Sequence, residues 1–210
     1  MSHDDFAHEP IPGLPERPPN GEHILWQGRP GTWALAREAL ALHWVAGWFV
    51  LLFGWRFATL VDLQGPVEAA RLASPFLILG GAVCALLLAI AWVQARATLY
   101  TITTARVAMR IGAALTVTFN LPYAQLASAD LQLRRDGHGT IALEMSGPTR
   151  LGYLICWPHV RPWHLRHPKP ALRCIPDAAR VARLLSDAAQ ARLTRPRLGR
   201  TAPGPALAAE

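Results

Sequence analysis

Apolar positions along this chain change their period more than once. From Leu40 to Val61 they are nearly continuous, 22 residues with a single charge at Arg56. Pro75 to Val93 is a second such run, 19 residues with no charge. At ~1.5 Å rise per residue, either run comes close to crossing the ~30 Å hydrocarbon core of a bilayer. A helix apolar on every face has no polar side to turn to water. The pattern therefore predicts a transmembrane hairpin: helices over 40–61 and 74–94, joined by a periplasmic loop over 62–73.

Beyond Ala97 the period falls to two. Val107, Met109 and Ile111 alternate with Arg106, Ala108 and Arg110. The same alternation runs through Val117, Phe119 and Leu121, then Ala129, Leu131 and Leu133, then Ile141, Leu143 and Met145. Each run predicts a half-buried antiparallel strand. Thr98–Ile102 and Arg150–Cys156 are further expected strands. Turn residues fall between them, at Thr103-Thr104-Ala105, Gly112-Ala113-Ala114, Asp136-Gly137-His138-Gly139 and Gly147-Pro148. Pro176 and Asp177 then open a helix whose apolar face is Ala178, Val181, Leu185 and Ala188.

Ahead of the first span, residues 1–20 hold five prolines and predict a disordered arm. Residues 21–39 form a juxtamembrane segment. Within it Ile24, Leu25 and Trp26 make a short apolar cluster that reads as a strand able to dock. A helix is expected from Thr32, feeding into the first span. Residues 96–193 form a folded module, and 194–210 a Pro/Gly/Arg-rich disordered tail. The fold class expected is an α+β membrane protein: a two-helix hairpin, then a strand meander closed by one amphipathic helix.

Charge sharpens this layout. The chain carries +7 overall, split as −3 over residues 1–39, 0 over 40–95 and +10 over 96–210. Lys/Arg counts near the span ends run two before the hairpin, one in its loop and three after it, which puts both termini in the cytoplasm. The first thirty residues have no apolar leader, so the first span is expected to act as the insertion signal. The basic module would lie beside an anionic leaflet, where each nearby basic residue adds ~1 kcal/mol of attraction. Anionic lipid or protein is the expected acidic partner rather than nucleic acid, because the basic residues are dispersed and tethered. Cys84, Cys156 and Cys174 form no CxxC pair, and reduced thiols are expected.

The string Glu22-His23-Ile24-Leu25-Trp26-Gln27-Gly28-Arg29-Pro30, then two spans, then Leu99-Tyr100-Thr101-Ile102-Thr103-Thr104-Ala105-Arg106-Val107 with Arg110 and Gly112 resembles bacterial membrane proteins with a PH-like domain. That resemblance implies a split β-barrel of about seven strands capped by the C-terminal helix. A narrower likeness rests on Gly13-Leu14-Pro15, Val117-Thr118-Phe119-Asn120-Leu121-Pro122, Ala127-Ser128-Ala129-Asp130-Leu131, Trp157-Pro158-His159-Val160-Arg161-Pro162-Trp163 and Leu172-Arg173-Cys174-Ile175-Pro176-Asp177. These look like the PuhB-type photosynthetic complex assembly proteins of purple bacteria. The likeness implies a non-enzymatic assembly factor of the inner (intracytoplasmic) membrane, with reaction-centre and core light-harvesting subunits as partners and no cofactor. A lipid-headgroup-binding PH-like module of general envelope function is the alternative. Homodimerisation stays open.

The most distinctive soluble stretch is Trp157–Pro170, with two Trp, three His, three basic residues and four Pro. Trp157, His159, Arg161, Trp163 and Arg166 fit a protein-interface anchor, a membrane-surface foot or a Trp-pinned structural loop. Trp26 and Arg56 are further contact candidates. Arg56 is expected to snorkel to the outer headgroups or to meet a partner helix. Gly54 with Ala58, and Gly81 with Ala85, permit close helix packing within the hairpin or against another protein. Cys156 and His159 have a usable zinc spacing, but His164, His167 and Cys174 do not supply the second half of a site. His43, beside Trp44 at the membrane edge, reads as an interfacial residue, with pigment ligation the sharper alternative. No phosphate loop, Ser/His/Asp set or paired acidic site is present in the sequence.

Overall fold

The computed structural model describes residues 11–113, 115–147 and 152–194. Its elements run β1 (Ile24–Gly28), α1 (Thr32–Glu38), α2 (Leu42–Gln64), α3 (Pro66–Ala97), β2 (Leu99–Thr103), β3 (Arg106–Ile111), β4 (Val117–Pro122), β5 (Leu126–Leu133), β6 (Gly139–Met145), α4 (Tyr153–Cys156), β7 (Ala171–Ile175) and α5 (Ala178–Thr194). All strand neighbours are antiparallel. They form a four-stranded sheet, β1-β2-β3-β4, and a three-stranded sheet, β5-β6-β7. The expected split barrel is thus two separate sheets among the described residues, packed around one core.

That core is Tyr100, Ile102, Val107, Met109, Ile111 and Leu121 from the first sheet, and Ile141, Leu143, Leu172 and Ile175 from the second. Helix α5 closes it with Ala178, Val181, Leu185 and Ala188, the face that its 3.6-residue period picks out. Strand β5 departs from expectation. It is an edge strand, and Leu131 and Leu133 remain exposed, Leu131 on an open groove between β5 and α5.

The hairpin is inserted into this domain rather than placed ahead of it. β1 precedes the two long helices and pairs with β2, which follows them: Gln27 lies opposite Thr101 and Gly28 opposite Tyr100. Trp26 packs half-buried on the core, with its ring over Gly28, where a Cβ would stand 2.2 Å from the indole. Glu22 locks the entry by pairing with Arg106 at 2.9 Å and accepting from Thr103 Oγ1 at 2.7 Å. The domain therefore begins well before residue 96. Even the Pro-rich arm contributes: Leu14 is fully buried, and Gln27 Nε2 donates to Pro12 O at 3.0 Å. Residues 1–10 of that arm, and the tail from 195, lie outside the described residues.

Helices α2 and α3 are both long and apolar enough to cross a membrane, and their apolar surface is largely uncovered by the rest of the chain. The loop expected over 62–73 is helical apart from Gly65. Pro66 sits at the first turn of α3, where its missing N–H costs nothing. Pro75 interrupts the helical ladder, and Ser74 Oγ donates to the orphaned Arg71 carbonyl at 2.8 Å, so the helix continues through it. Gly80 is the close approach within the hairpin, where a Cβ would meet Phe49 at 2.6 Å. Gly54 and Gly81 face open space instead.

Two further expectations are corrected. α1 does not feed straight into α2, because Ala41 adopts a left-handed conformation (φ 53°) and breaks the helix. The break lets α1 lie between α3 and β7, with Leu35 against Ala95 and Cys174. Tyr153–Cys156 is a short helix rather than the end of a strand, while residues 150 and 151 lie outside the described residues. The strand that completes the second sheet is Ala171–Ile175.

Candidate functional site

The place where hairpin and domain meet is built on an irregular strand. Within β7, Cys174 has φ 54°, and the β6–β7 register slips between Gly139 and Ile141. A bulge of this kind bends a strand and re-aims its side chains. Here Arg173, only 6% exposed, donates from Nη1 to Pro158 O at 3.1 Å and from Nη2 to Glu38 O at 3.2 Å. Glu38 O lies at the C-terminal end of α1, where unpaired carbonyls favour a cation. The Glu38 carboxylate pairs with Arg134 from the β5–β6 turn and accepts from Cys174 Sγ at 3.6 Å. Arg37 pairs with Asp136 at 3.1 Å. Gly31 N donates to Cys174 O at 2.8 Å. One arginine and one glutamate thus tie α1, β7, the β5–β6 turn and the 157–170 segment together.

His159 is the second tie. It is fully buried, with Nε2 2.9 Å from Thr98 Oγ1 and Nδ1 2.6 Å from Tyr100 OH. Tyr100 OH also accepts from Arg173 N at 3.3 Å. One arrangement leaves no donor idle: Tyr100 donates to Nδ1, and Nε2–H donates to Thr98. The imidazole is then neutral. Burial, with the Arg173 charge adding to it, pushes its pKa down to about 3. Burial likewise raises the Cys156 thiol to about 11 and, with Glu38 beside it, the Cys174 thiol to about 12, so both stay protonated and unreactive.

Four residues beyond His159 the same segment is fully outside. Trp163 is 91% exposed and held at φ 66°. Trp157 and Arg166 are exposed, and Arg161 is half-buried in an ion pair with Asp130 at 3.0 Å. Leu154, Ile155 and Leu165 add further exposed apolar side chains. A cleft of about 450 Å³ between Glu38, Asp130, Arg134, Arg161, Pro162 and Arg173 separates this tip from α1. A second, of about 590 Å³, opens between Arg37, His43 and Arg134–Asp136.

Of the residues expected to make contacts, the structure brings Trp157, Arg161, Trp163 and Arg166 onto one exposed segment. It buries His159 beneath them and seats Trp26 on the core. Arg56 is exposed on α2, far along the chain from the rest, and no ion pair to it is found among the described residues. His43 sits at the mouth of the larger cleft, with its ring 5.6 Å from Trp44. His159 spends both ring nitrogens on Tyr100 and Thr98, and no cluster of three or more metal-type side chains occurs among the described residues. Arg173, Glu38, Thr98 and Tyr100 were not among the expected functional residues. The usable signal was one charge inside the apolar run Ala171-Leu172-Arg173-Cys174-Ile175, because a charge inside a buried strand must be paired.

Residues 42–189 match the bacterial PH domain family, a stretch that takes in both long helices and the strands to the end of the core. The chain belongs to that family. It is also 49% identical over 204 residues, 94% of each chain, to a Rhodobacter capsulatus protein described as an uncharacterized 23.7 kDa protein in the puhA 5′ region. No solved structure matches it. In this bacterial PH domain protein the joint, not the strands alone, connects the two parts that the family match spans.

Proposed function

We propose that this protein is a non-enzymatic membrane assembly factor for the photosynthetic reaction centre and its core light-harvesting complex, acting through protein contacts. The observation that carries the reading is the half-identical, full-length relative in the puhA 5′ region, a neighbourhood that points to photosynthesis. The hairpin would cross the bacterial inner membrane. The pairing of β1 with β2 brings the hairpin's two ends together, which supports the expectation from the charge count that both termini are cytoplasmic. Gly54 and Gly81, open to the outside, would let a partner helix approach closely. Deleting the gene in its host and recording near-infrared spectra of isolated membranes tests the reading. Reaction-centre and core-antenna absorbance should fall together and return on complementation. Unchanged levels of both complexes would sink it.

A further inference from the structure

Several exposed apolar side chains of the domain lie on segments tied to the end that carries the hairpin. Three connections fix that level. His159 is bonded to Thr98, the first residue after α3. Pro162 and Arg161 share a cleft with Glu38, the last residue of α1. One short step further, Leu40 and Leu42 already pack on Leu87, Leu88 and Ala91 of α3. On the other side, Arg110 lies opposite Leu99, so the β3–β4 turn runs on past the start of β2 and back alongside α3. From these places project Leu115 (84% exposed), Leu154 (85%), Ile155, Trp163 (91%) and Leu165. Arg166 stands beside the last two, and Arg96 stacks on Trp92 at 4.6 Å near the end of α3.

We propose that the 152–166 segment, with Leu115 as a second point, is an interfacial foot that inserts into the same leaflet the hairpin leaves. It would hold the domain against the bilayer, with Leu154, Ile155, Trp163 and Leu165 among the upper acyl chains and Arg166 at the phosphates. Apolar side chains flanked by cations are what a peripheral element needs to lie ~5–10 Å deep in an anionic interface. Trp favours that depth because its ring is apolar and its N–H still reaches the headgroups. The foot also fixes the orientation of the domain. The loop and α1 cover the outer face of the second sheet, through Arg161–Asp130, Lys169–Glu144 (2.8 Å) and Arg134–Glu38, so that face turns to the membrane and α5 turns away.

The inference rests on reading α2 and α3 as a membrane hairpin, so the test probes both. The full chain, in a Cys84→Ala background with Cys156 and Cys174 buried, carries a nitroxide at Trp163→Cys, Leu154→Cys, Leu86→Cys in the hairpin or Asp187→Cys on α5. It is reconstituted into vesicles of phosphatidylcholine and phosphatidylglycerol. Collision with oxygen and with a water-soluble nickel chelate is read at each site. Labels at 163 and 154 should be shielded from chelate, at a depth between the hairpin centre and the headgroups, while 187 is fully accessible. Chelate access at 163 and 154 equal to that at 187, with 86 shielded, overturns the foot. So does shielding that arises only when reaction-centre subunits are added, which would make the tip a protein contact. Access at 86 as well would show that the hairpin reading itself fails. Quenching by brominated lipid gives a second measurement on the natural side chain: Trp163→Phe should remove a quenchable component, and an unchanged quenching curve counts against the proposal.

Discussion

Two ends of one segment obey opposite rules. At its base, His159 is fully buried and spends both nitrogens on the fold, while four residues on Trp163 is almost fully exposed and held in a left-handed conformation. Along the sequence both belong to the same Trp/His/Arg-rich stretch, and composition does not separate them. What separates them is what each meets: Thr98, Tyr100 and Arg173 at the base, and no covering element among the described residues at the tip. Aromatic and basic residues of one loop can therefore divide into a joint that fixes position and a surface that uses it.

The strongest way to break the joint is Arg173→Met. The methionine fills space but leaves Pro158 O and Glu38 O without their donor. At ~1–3 kcal/mol for each buried group left unsatisfied, the expected loss is about 3 kcal/mol. Thermal unfolding in detergent should show it, together with faster proteolysis between α1 and β2. A melting midpoint within error of the parent chain would mean that this arginine does not hold the joint.

The next effect is pH. The His159 pKa lies near 3 in the folded chain, below the ordinary value of 6.5, so between those two values the unfolded state binds the extra proton. Stability from this group is fully present above about pH 6.5 and falls by about 1.4 kcal/mol per unit as pH drops toward 3. From pH 7.5 to 5 the loss is thus about 2 kcal/mol. Protonation would also turn Nδ1 into a donor facing the Tyr100 hydroxyl, which then has nothing left to accept its proton. His159→Gln should be less stable at neutral pH yet lose this slope. An equal slope in the variant would assign the acid sensitivity elsewhere.

Much of the domain was legible because strand and helix periods are local. Val107, Met109 and Ile111 alternate correctly, and the buried face of α5 falls on the four residues its period selects. β7 escaped because Ala171, Leu172, Cys174 and Ile175 are apolar on both sides of Arg173, so no period appears. The joint escaped for a different reason. Its defining bond joins residues 135 apart, Arg173 to Glu38, and a bulge aims it. Pairing between β1 and β2 across the hairpin was hinted at by the small apolar cluster at Ile24–Trp26 and by the PH-like layout that this segment shares with the later strands. Leu14 gave still less warning, because a single leucine among prolines reads as an arm. Its burial depends on the turn at Gly13, where φ is 84° and a Cβ would stand 2.6 Å from Leu99 Cδ2. Gly13→Ala should therefore cost about 1–2 kcal/mol, short of the joint variants, and an unaltered melting midpoint would show that residues 11–15 are not docked.

The smallest effect has the opposite sign and tests the tip. A tryptophan at φ 66° pays for a left-handed backbone, on the order of 1 kcal/mol, and 91% exposure leaves it almost no packing in return. Glycine adopts that conformation freely but gives back part of the gain through the entropy of the unfolded chain. Trp163→Gly should thus raise stability by about 0.5 kcal/mol in detergent. If the tip serves a surface rather than the fold, the same variant should weaken attachment of the domain to vesicles, seen as faster protease cleavage near residue 163 in reconstituted protein. Trp163→Ala keeps the backbone strain and should reproduce the attachment defect without the gain in stability. A loss of stability in both variants would place Trp163 with His159, as part of the joint, and the division between base and tip would fall.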